Sequence, residues 1–167
     1  MGAGKTAVGK ALAARLGVPF LDSDEEIVKA ANMSIAEIFQ RDGEPFFREK
    51  ETQVISRLLD GFPCVLSTGG GAFMSERNRD LIADKGLSLW LDADLDLLWS
   101  RVAHKDTRPL LRTANPRATL AEIYEKRVPV YALSALSAKC GADYSIEDMV
   151  GRVIDVLKTR PDVLEEV

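Results

Sequence analysis

The chain has 167 residues, enough for one domain with a sizeable core and too few for two ordinary domains. Its formal net charge of −4 argues against nucleic acid as the main partner, because proteins that bind the phosphate backbone usually carry a basic excess. No apolar run approaches the ~20 residues needed to cross a bilayer, and Cys64 and Cys140 cannot build a disulfide framework. These features predict a cytoplasmic protein that binds neither a membrane nor a nucleic acid.

The first residues, MGAGKT, match the second half of a phosphate-binding loop, whose full pattern is G-x-x-x-x-G-K-[ST]. In such a loop, backbone N–H groups and the N-terminus of the following helix point at phosphate oxygens. Lys5 would neutralise the β- and γ-phosphates, and the Thr6 hydroxyl would bind Mg²⁺. A glycine-rich start to an ordinary helix is the alternative. The first glycine of the pattern, and the strand that should feed the loop, would lie before Met1.

Helical and extended patterns alternate along the chain after this loop. We predict a helix that follows the loop and ends at Gly17, and another helix between Pro45 and Gly61. Strands are predicted around Phe20, Val65, Leu89 and Tyr144. This alternation predicts a single α/β domain over residues 1–167, in which helices cover both faces of a parallel sheet.

The least regular and most basic stretch is HKDTRPLLRTANPR, at about residues 104–117. An irregular segment inside a compact domain is often a mobile lid, so we predict a lid here. Arg108 lies in this segment, whereas Arg48 and Arg127 lie in FFREKE and KRVPVY. Guanidinium groups bind carboxylates and phosphates through two parallel hydrogen bonds, although each arginine alone is more simply explained as a solvated surface charge.

Two short motifs follow the first two predicted strands. In DSD, Asp22 and Asp24 would share one face of an extended chain at the edge where ligands of open α/β sheets bind. One carboxylate could hold Mg²⁺ through water while the other orients a hydroxyl, but an acidic N-cap for the next helix explains the motif equally well. In STGGGA, Gly69, Gly70 and Gly71 would let a ligand approach backbone N–H groups, although a loose turn is the alternative.

Together and in this order, GAGKT, DSD, GEPFFREKE, STGGGA, RPLLR and KRVPVY closely resemble shikimate kinase from Met1 to about Tyr131. The resemblance implies a three-layer P-loop kinase fold of the nucleoside-monophosphate-kinase type, with a five-stranded parallel sheet. The strand before the loop would be central in that sheet. We therefore expect the natural protein to have an N-terminal extension, with an apolar strand and a Gly-x-x sequence just before Gly2. One departure from the family is that the turn before the last helix offers no arginine or proline before Gly151 for contact with adenine.

The resemblance also implies a role for each candidate residue. ATP would be bound by Gly2, Ala3, Gly4, Lys5, Thr6, Ala7, Arg101 and Arg108. Shikimate would be bound by Asp24, Arg48, Gly70, Gly71 and Arg127, with its ring flanked by Phe39 and Phe47. Mg²⁺ would be bound by Thr6, with Asp22 and Ser67 acting through waters. The catalytic residues would be Lys5, Asp24 and Arg108.

The implied reaction transfers the γ-phosphate of ATP to the 3-hydroxyl of shikimate, giving ADP and shikimate 3-phosphate on the route to chorismate and the aromatic amino acids. The family resemblance also implies a monomer. One alternative is a related kinase, such as a gluconate kinase, but the pairing of Asp24 with Arg48 and Arg127 suits an acceptor that bears hydroxyls and a carboxylate. Another is an inactive kinase-like module that regulates a partner, which would be expected to have lost Lys5, Asp24 or the lid arginine.

Overall fold

The computed structural model describes residues 3–103 and 111–163. The chain divides into two compact units, of which the first contains residues 1–8 and 88–167 and the second contains residues 9–87. Helix α1 (Lys5–Leu16) begins in the first unit and continues into the second. The prediction of a single domain over the whole chain stays a prediction.

The second unit holds the acidic and glycine-rich motifs. After α1 its elements are β1 (Phe20–Asp22), α2 (Ser23–Ala31), α3 (Ile35–Asp42), α4 (Glu44–Leu59), β2 (Val65–Ser67), a 3₁₀ turn (Ala72–Met74) and α5 (Glu76–Lys85). Strands β1 and β2 are parallel and pair Asp22 with Ser67 at their ends. DSD and STGGG therefore leave neighbouring strands at the same edge, as predicted for a parallel sheet.

The first unit holds the start of the phosphate-binding loop and the C-terminal half of the chain. Its remaining elements are β3 (Leu89–Asp92), α6 (Leu95–Val102), α7 (Pro116–Tyr131), β4 (Leu136–Lys139) and α8 (Ile146–Leu157). Strands β3 and β4 are parallel over all four residues of each. Among the helices in the described ranges, none is long and apolar enough to cross a membrane.

Short polar residues and glycines set the helix boundaries of the second unit. The Asp22 carboxylate caps α2 by accepting the N–H groups of Asp24 and Glu25, at 2.8 Å and 3.3 Å. The Ser34 hydroxyl caps α3 in the same way. Gly43 separates α3 from α4 and has a φ of +84°, a conformation that favours glycine. The chain therefore turns directly from α3 into α4.

Helix α4 contributes to two clusters of buried apolar side chains. The cluster shared with α2 and α3 contains Ile27, Ile38, Phe47 and Val54. The cluster shared with the 3₁₀ turn and α5 contains Ile55, Ala72 and Ile82. Burial of a large apolar side chain contributes about 1.5–3 kcal/mol. Helix α4 is therefore fixed from both sides, which gives the charged residues on it a rigid support.

The structure differs from the sequence prediction in the position of the last strand. The strand predicted around Tyr144 is wrong, because the N–H of this residue closes a turn by donating to the Gly141 carbonyl at 3.2 Å, and the strand is β4. Ser145 and Asp148 form a reciprocal capping box that begins α8 directly after Tyr144. The described residues contain two parallel pairs of strands, so the five-stranded sheet stays a prediction.

Candidate active site

The glycine-rich loop lies against two charged side chains in the second unit. A β-carbon added to Gly69 would lie 3.0 Å and 3.1 Å from the two carboxylate oxygens of Asp24. A β-carbon added to Gly71 would lie 2.7 Å from a guanidinium nitrogen of Arg48. The separation at Gly71 is too short for a real side chain, and those at Gly69 are tighter than most real contacts, so both glycines favour close packing of a carboxylate and a guanidinium against the loop backbone. The structure thus brings together predicted residues from three separate motifs.

Arg48 is held in place by its own helix. Its guanidinium lies 2.9 Å from the carboxylate of Glu51 and 3.5 Å from that of Glu44, and it lies over the Phe47 ring at 5.2 Å from the centroid. Burial raises the pKa of Glu51, which is only 1% exposed, and the hydrogen bond from Arg48 opposes that rise. The negative charge of Asp24 adds to the rise in the pKa of Glu51. Asp24, Arg48 and Glu51 therefore form one electrostatic cluster.

The two predicted aromatic residues differ in exposure. The rings of Phe39 and Phe47 are 4.7 Å apart between centroids and tilted by 34°. Phe47 is 4% exposed and belongs to the core, whereas Phe39 is 36% exposed. Only the Phe39 ring offers much accessible surface for a ligand, and Phe47 supports that ring and the Arg48 side chain.

The edge shared by β1 and β2 carries the oxygen atoms predicted for Mg²⁺. Asp22 ends β1 and uses one carboxylate oxygen as the cap of α2, while Asp24 lies in the first turn of that helix. The expectation that the two aspartates alternate along an extended chain is therefore wrong, and the N-cap interpretation is correct for Asp22. Ser67 pairs with Asp22 in the strand register, and its buried hydroxyl has no hydrogen-bond partner among the described residues.

The part of the phosphate-binding loop that the structure describes lies in the first unit. Gly4 has a φ of +83°, and its carbonyl accepts the N–H of Val8 to close the first helical turn. A β-carbon added to Gly4 would lie 3.6 Å from a guanidinium nitrogen of Arg101. The loop backbone and Arg101 are therefore neighbours, as expected for residues that share an anionic ligand.

The first turn of α1 has no acidic side chain, which leaves the positive end of its dipole uncompensated by its own sequence. Ala3 is half-buried, whereas Lys5, Thr6 and Ala7 are exposed. Gly2 and Arg108 lie outside the described residues. Of the predicted lid at about 104–117, residues 104–110 lie outside them as well.

The remaining predicted residue, Arg127, lies on α7 in the first unit. Burial raises the pKa of Tyr131, and the positive charge of Arg127, together with a hydrogen bond from it, opposes that rise. The described end of the predicted lid is partly helical, since α7 begins at Pro116. The side chain of Arg117 is paired with Asp96 on α6 at 2.6 Å.

Sequence reasoning missed three buried polar residues, two of which contact Arg48. Glu51 binds its guanidinium, and Thr52 and Asn78 form a hydrogen bond between α4 and α5. A signal for Glu51 was available, because glutamate three residues after arginine on a helix can form an ion pair. No local signal marks Asn78, since its partner lies 26 residues away.

The phosphate-binding half-loop at the start of a helix, the parallel strands and the charged loop edge are the features of a P-loop kinase. The structure is similar to that of a shikimate kinase from Acinetobacter baumannii in complex with shikimate. The two have a TM-score of 0.86 and 34% identity, over 95% of this chain and 89% of the other. The predicted α/β P-loop kinase fold is confirmed.

The sequence comparisons identify the family. The family model described as shikimate kinase matches residues 1–158. A shikimate kinase from Ruegeria pomeroyi is 67% identical over 99% of this chain and 85% of that protein. A shikimate kinase from Cereibacter sphaeroides is also 67% identical, over 99% of this chain and 82% of that protein. The chain belongs to the shikimate kinase family, which favours that prediction over a gluconate kinase.

Proposed function

We propose that this chain transfers the γ-phosphate of ATP to the 3-hydroxyl of shikimate, as the sequence motifs imply. The observation that carries the proposal is the packing of the Asp24 carboxylate and the Arg48 guanidinium on the loop of Gly69 and Gly71. An acceptor with a carboxylate and several hydroxyls needs a cation, a hydrogen-bond acceptor and backbone N–H groups in one place. This edge of the second unit supplies all three.

In the proposed reaction, Arg48 and the N–H groups of Gly70 and Gly71 bind the carboxylate and ring hydroxyls of shikimate. Asp24 accepts a hydrogen bond from the attacking hydroxyl, orients it and takes its proton. The role of Arg127 in acceptor binding rests on the resemblance alone. Because Glu51 holds the Arg48 side chain at 2.9 Å, the guanidinium is oriented before the ligand arrives.

ATP binding is proposed for the loop residues at the start of α1. Lys5 and the N–H groups of that helix neutralise the phosphate oxygens, and Arg101 lies beside Gly4 to add positive charge. The role of Arg108, which is proposed to reach the transferred phosphoryl group, rests on the resemblance alone. The monomeric state likewise rests on the resemblance, whereas the lid, the single domain and the cytoplasmic location are proposed from the sequence patterns.

The residues predicted for Mg²⁺ have suitable chemistry. Hydroxyl and carboxylate oxygens are the ligands that Mg²⁺ prefers, and it commonly keeps several waters. The unpartnered hydroxyl of Ser67, paired in register with Asp22, suits an ordered water of this kind. When bound, Mg²⁺ would offset negative charge on the phosphates. The role of Thr6 as a direct ligand rests on the resemblance alone, and Asp22 would use its carboxylate both for the cap of α2 and for a bound water.

The test is a coupled assay of ADP release with shikimate and with gluconate as acceptors. We expect turnover with shikimate, a loss of about 100-fold or more in turnover for Asp24→Asn, and ADP binding within about twofold of wild type. Asp42→Asn is the matched control. The Asp42 carboxylate lies on α3, and in the part of the chain that the structure describes its hydrogen bond comes from Arg41. Faster turnover with gluconate would refute the proposed substrate. An equal loss of ADP affinity in Asp24→Asn would make Asp24 a metal ligand instead of the base.

A further inference from the structure

A buried polar connection joins α4 to the glycine-rich loop. Thr52 is 5% exposed and Asn78 is 1% exposed. The Thr52 hydroxyl lies 2.7 Å from Oδ1 of Asn78, and Nδ2 of Asn78 donates to the Ala72 carbonyl over 2.9 Å. Because the carbonyl of Ala72 requires an N–H donor, the amide orientation is fixed and Oδ1 faces the threonine. Thr52 is therefore the donor to Asn78.

Each end of this connection adjoins a residue proposed to bind shikimate. Thr52 lies one helical turn after Arg48, and its hydroxyl is 3.0 Å from the carbonyl of Arg48. Ala72 directly follows Gly71, whose backbone lies against the Arg48 guanidinium. The Asn78 side chain thus spans the gap between the helix that carries the guanidinium and the loop that carries the N–H groups.

We propose that Asn78 and Thr52 are positioning residues for the acceptor site, and that they set the spacing between Arg48 and the Gly71 backbone. The proposal rests on the proposed function, because shikimate is the ligand that both groups would hold. Loss of the Thr52 hydroxyl leaves Oδ1 of Asn78 buried without a donor, and such a group is costly enough to make its surroundings rearrange. The surroundings here are the loop and Arg48.

The experiment compares Thr52→Val, which keeps the shape and loses the hydroxyl, with Thr52→Ser, which keeps the hydroxyl. We expect the valine variant to raise the KM for shikimate about tenfold and to leave the KM for ATP within about twofold, while the serine variant stays near wild type. Asn78→Ala should act in the same direction as the valine variant. Ser56→Ala is the matched control, because this hydroxyl lies one turn further along α4 and contacts Lys85 of α5 at 3.1 Å.

The outcomes separate this proposal from the proposed function. A wild-type protein that does not turn over shikimate would refute both. If wild type is active, an unchanged shikimate KM in Thr52→Val, or an equal rise of both KM values, overturns the positioning role alone. Loss of stability in Thr52→Val without a change in the KM for shikimate also overturns the positioning role alone. Should Asn78→Ala fail to fold, the comparison of valine with serine at position 52 decides the matter.

Discussion

Alanine at position 71 is a direct test of the contact between the loop and Arg48. Gly71 has a φ of −87°, which any residue adopts, so available space and not backbone strain decides the result. The added β-carbon would meet the far end of the Arg48 side chain at 2.7 Å and push the guanidinium away. We expect Gly71→Ala to raise the KM for shikimate about tenfold with little change in the urea midpoint of unfolding.

Gly61→Ala provides the control for this substitution. Its added β-carbon would make only ordinary contact, at 3.4 Å from the Leu58 carbonyl, and it lies at the end of α4 away from the loop. Steady-state kinetics with each substrate varied in turn would measure both variants. A normal shikimate KM in Gly71→Ala would mean that Arg48 does not bind the acceptor where its side chain now lies.

Glu51 should give the free energy of unfolding a specific pH dependence. Burial raises its pKa above the ordinary 4.5, so its contribution to stability is present at low pH and is lost as the pH rises through the raised pKa. Glutamine does not titrate. We therefore expect the stability of Glu51→Gln relative to wild type to increase as the pH rises above 4.5, measured by urea unfolding across that range.

Glu49→Gln on the same helix should show the opposite trend. Glu49 is exposed, and its hydrogen bond from Arg77 lowers its pKa below 4.5. Its contribution is therefore present at higher pH and lost as the pH falls, so the stability of wild type relative to Glu49→Gln should shrink on acidification. Parallel trends in the two variants would contradict the assignment of the raised pKa to Glu51.

The limits of sequence reasoning at this scale are visible around Arg48. Asp24, Arg48 and Gly71 could be identified because each lies in a short motif whose residue types have a chemical use. The burial of Glu51 could not be predicted, since charge spacing on a helix says nothing about what packs above it. Asn78 has no local signal at all, because its role depends on a tertiary contact with Thr52.

At the scale of elements, helix boundaries were easier to predict than the last strand. Gly17 does end α1, with a φ of +69°. The last strand is predicted around Tyr144, whereas β4 lies earlier in the chain and contains small and polar residues. The strand forms because it pairs with β3, in spite of a weak local preference for extended structure. That pairing cannot be predicted from the sequence of the segment alone. The S-x-x-D spacing at Ser145 was the available signal for a helix start.

Helix α8 offers a substitution that should stabilise the protein. Gly151 lies inside the helix, and an added β-carbon would meet nothing within 4 Å. Alanine is favoured over glycine in a helix interior by about 0.5–1 kcal/mol. We expect Gly151→Ala to raise the free energy of unfolding by about that amount and to leave both KM values unchanged, as measured by urea titration and kinetics.

Gly17→Ala isolates the backbone contribution. This position also has nothing within 4 Å of an added β-carbon, but its φ is +69°. Alanine should therefore lower the free energy of unfolding by about 1–2 kcal/mol, since the left-handed conformation is strained for a residue with a β-carbon. Destabilisation by both variants would indicate that space around Gly151 is more limited than the structure shows.

At the scale of the whole molecule, the residues proposed for the two substrates are divided between the two units. Asp24 and Arg48, proposed for shikimate, lie in the second unit. Lys5 and Arg101, proposed for ATP, lie in the first unit, which also contains Arg127, a further residue proposed for shikimate. The order of motifs along the sequence predicted this α/β fold and its candidate residues. It could not predict how the chain divides into units, because that depends on which contacts form between distant segments.

Ligand-induced stabilisation should therefore separate the two binding functions. A ligand at about 100 times its Kd raises the free energy of unfolding by about 2.7 kcal/mol, and a 100-fold weaker site reduces that gain to about 0.4 kcal/mol. We expect Arg48→Ala to abolish most of the stabilisation by shikimate and to keep that by ADP. Lys5→Ala should do the reverse, because it removes a phosphate ligand and no acceptor contact. Thermal and urea unfolding of each variant, with each ligand alone, provide the measurement. Loss of both effects in either variant would contradict the division of binding residues proposed here.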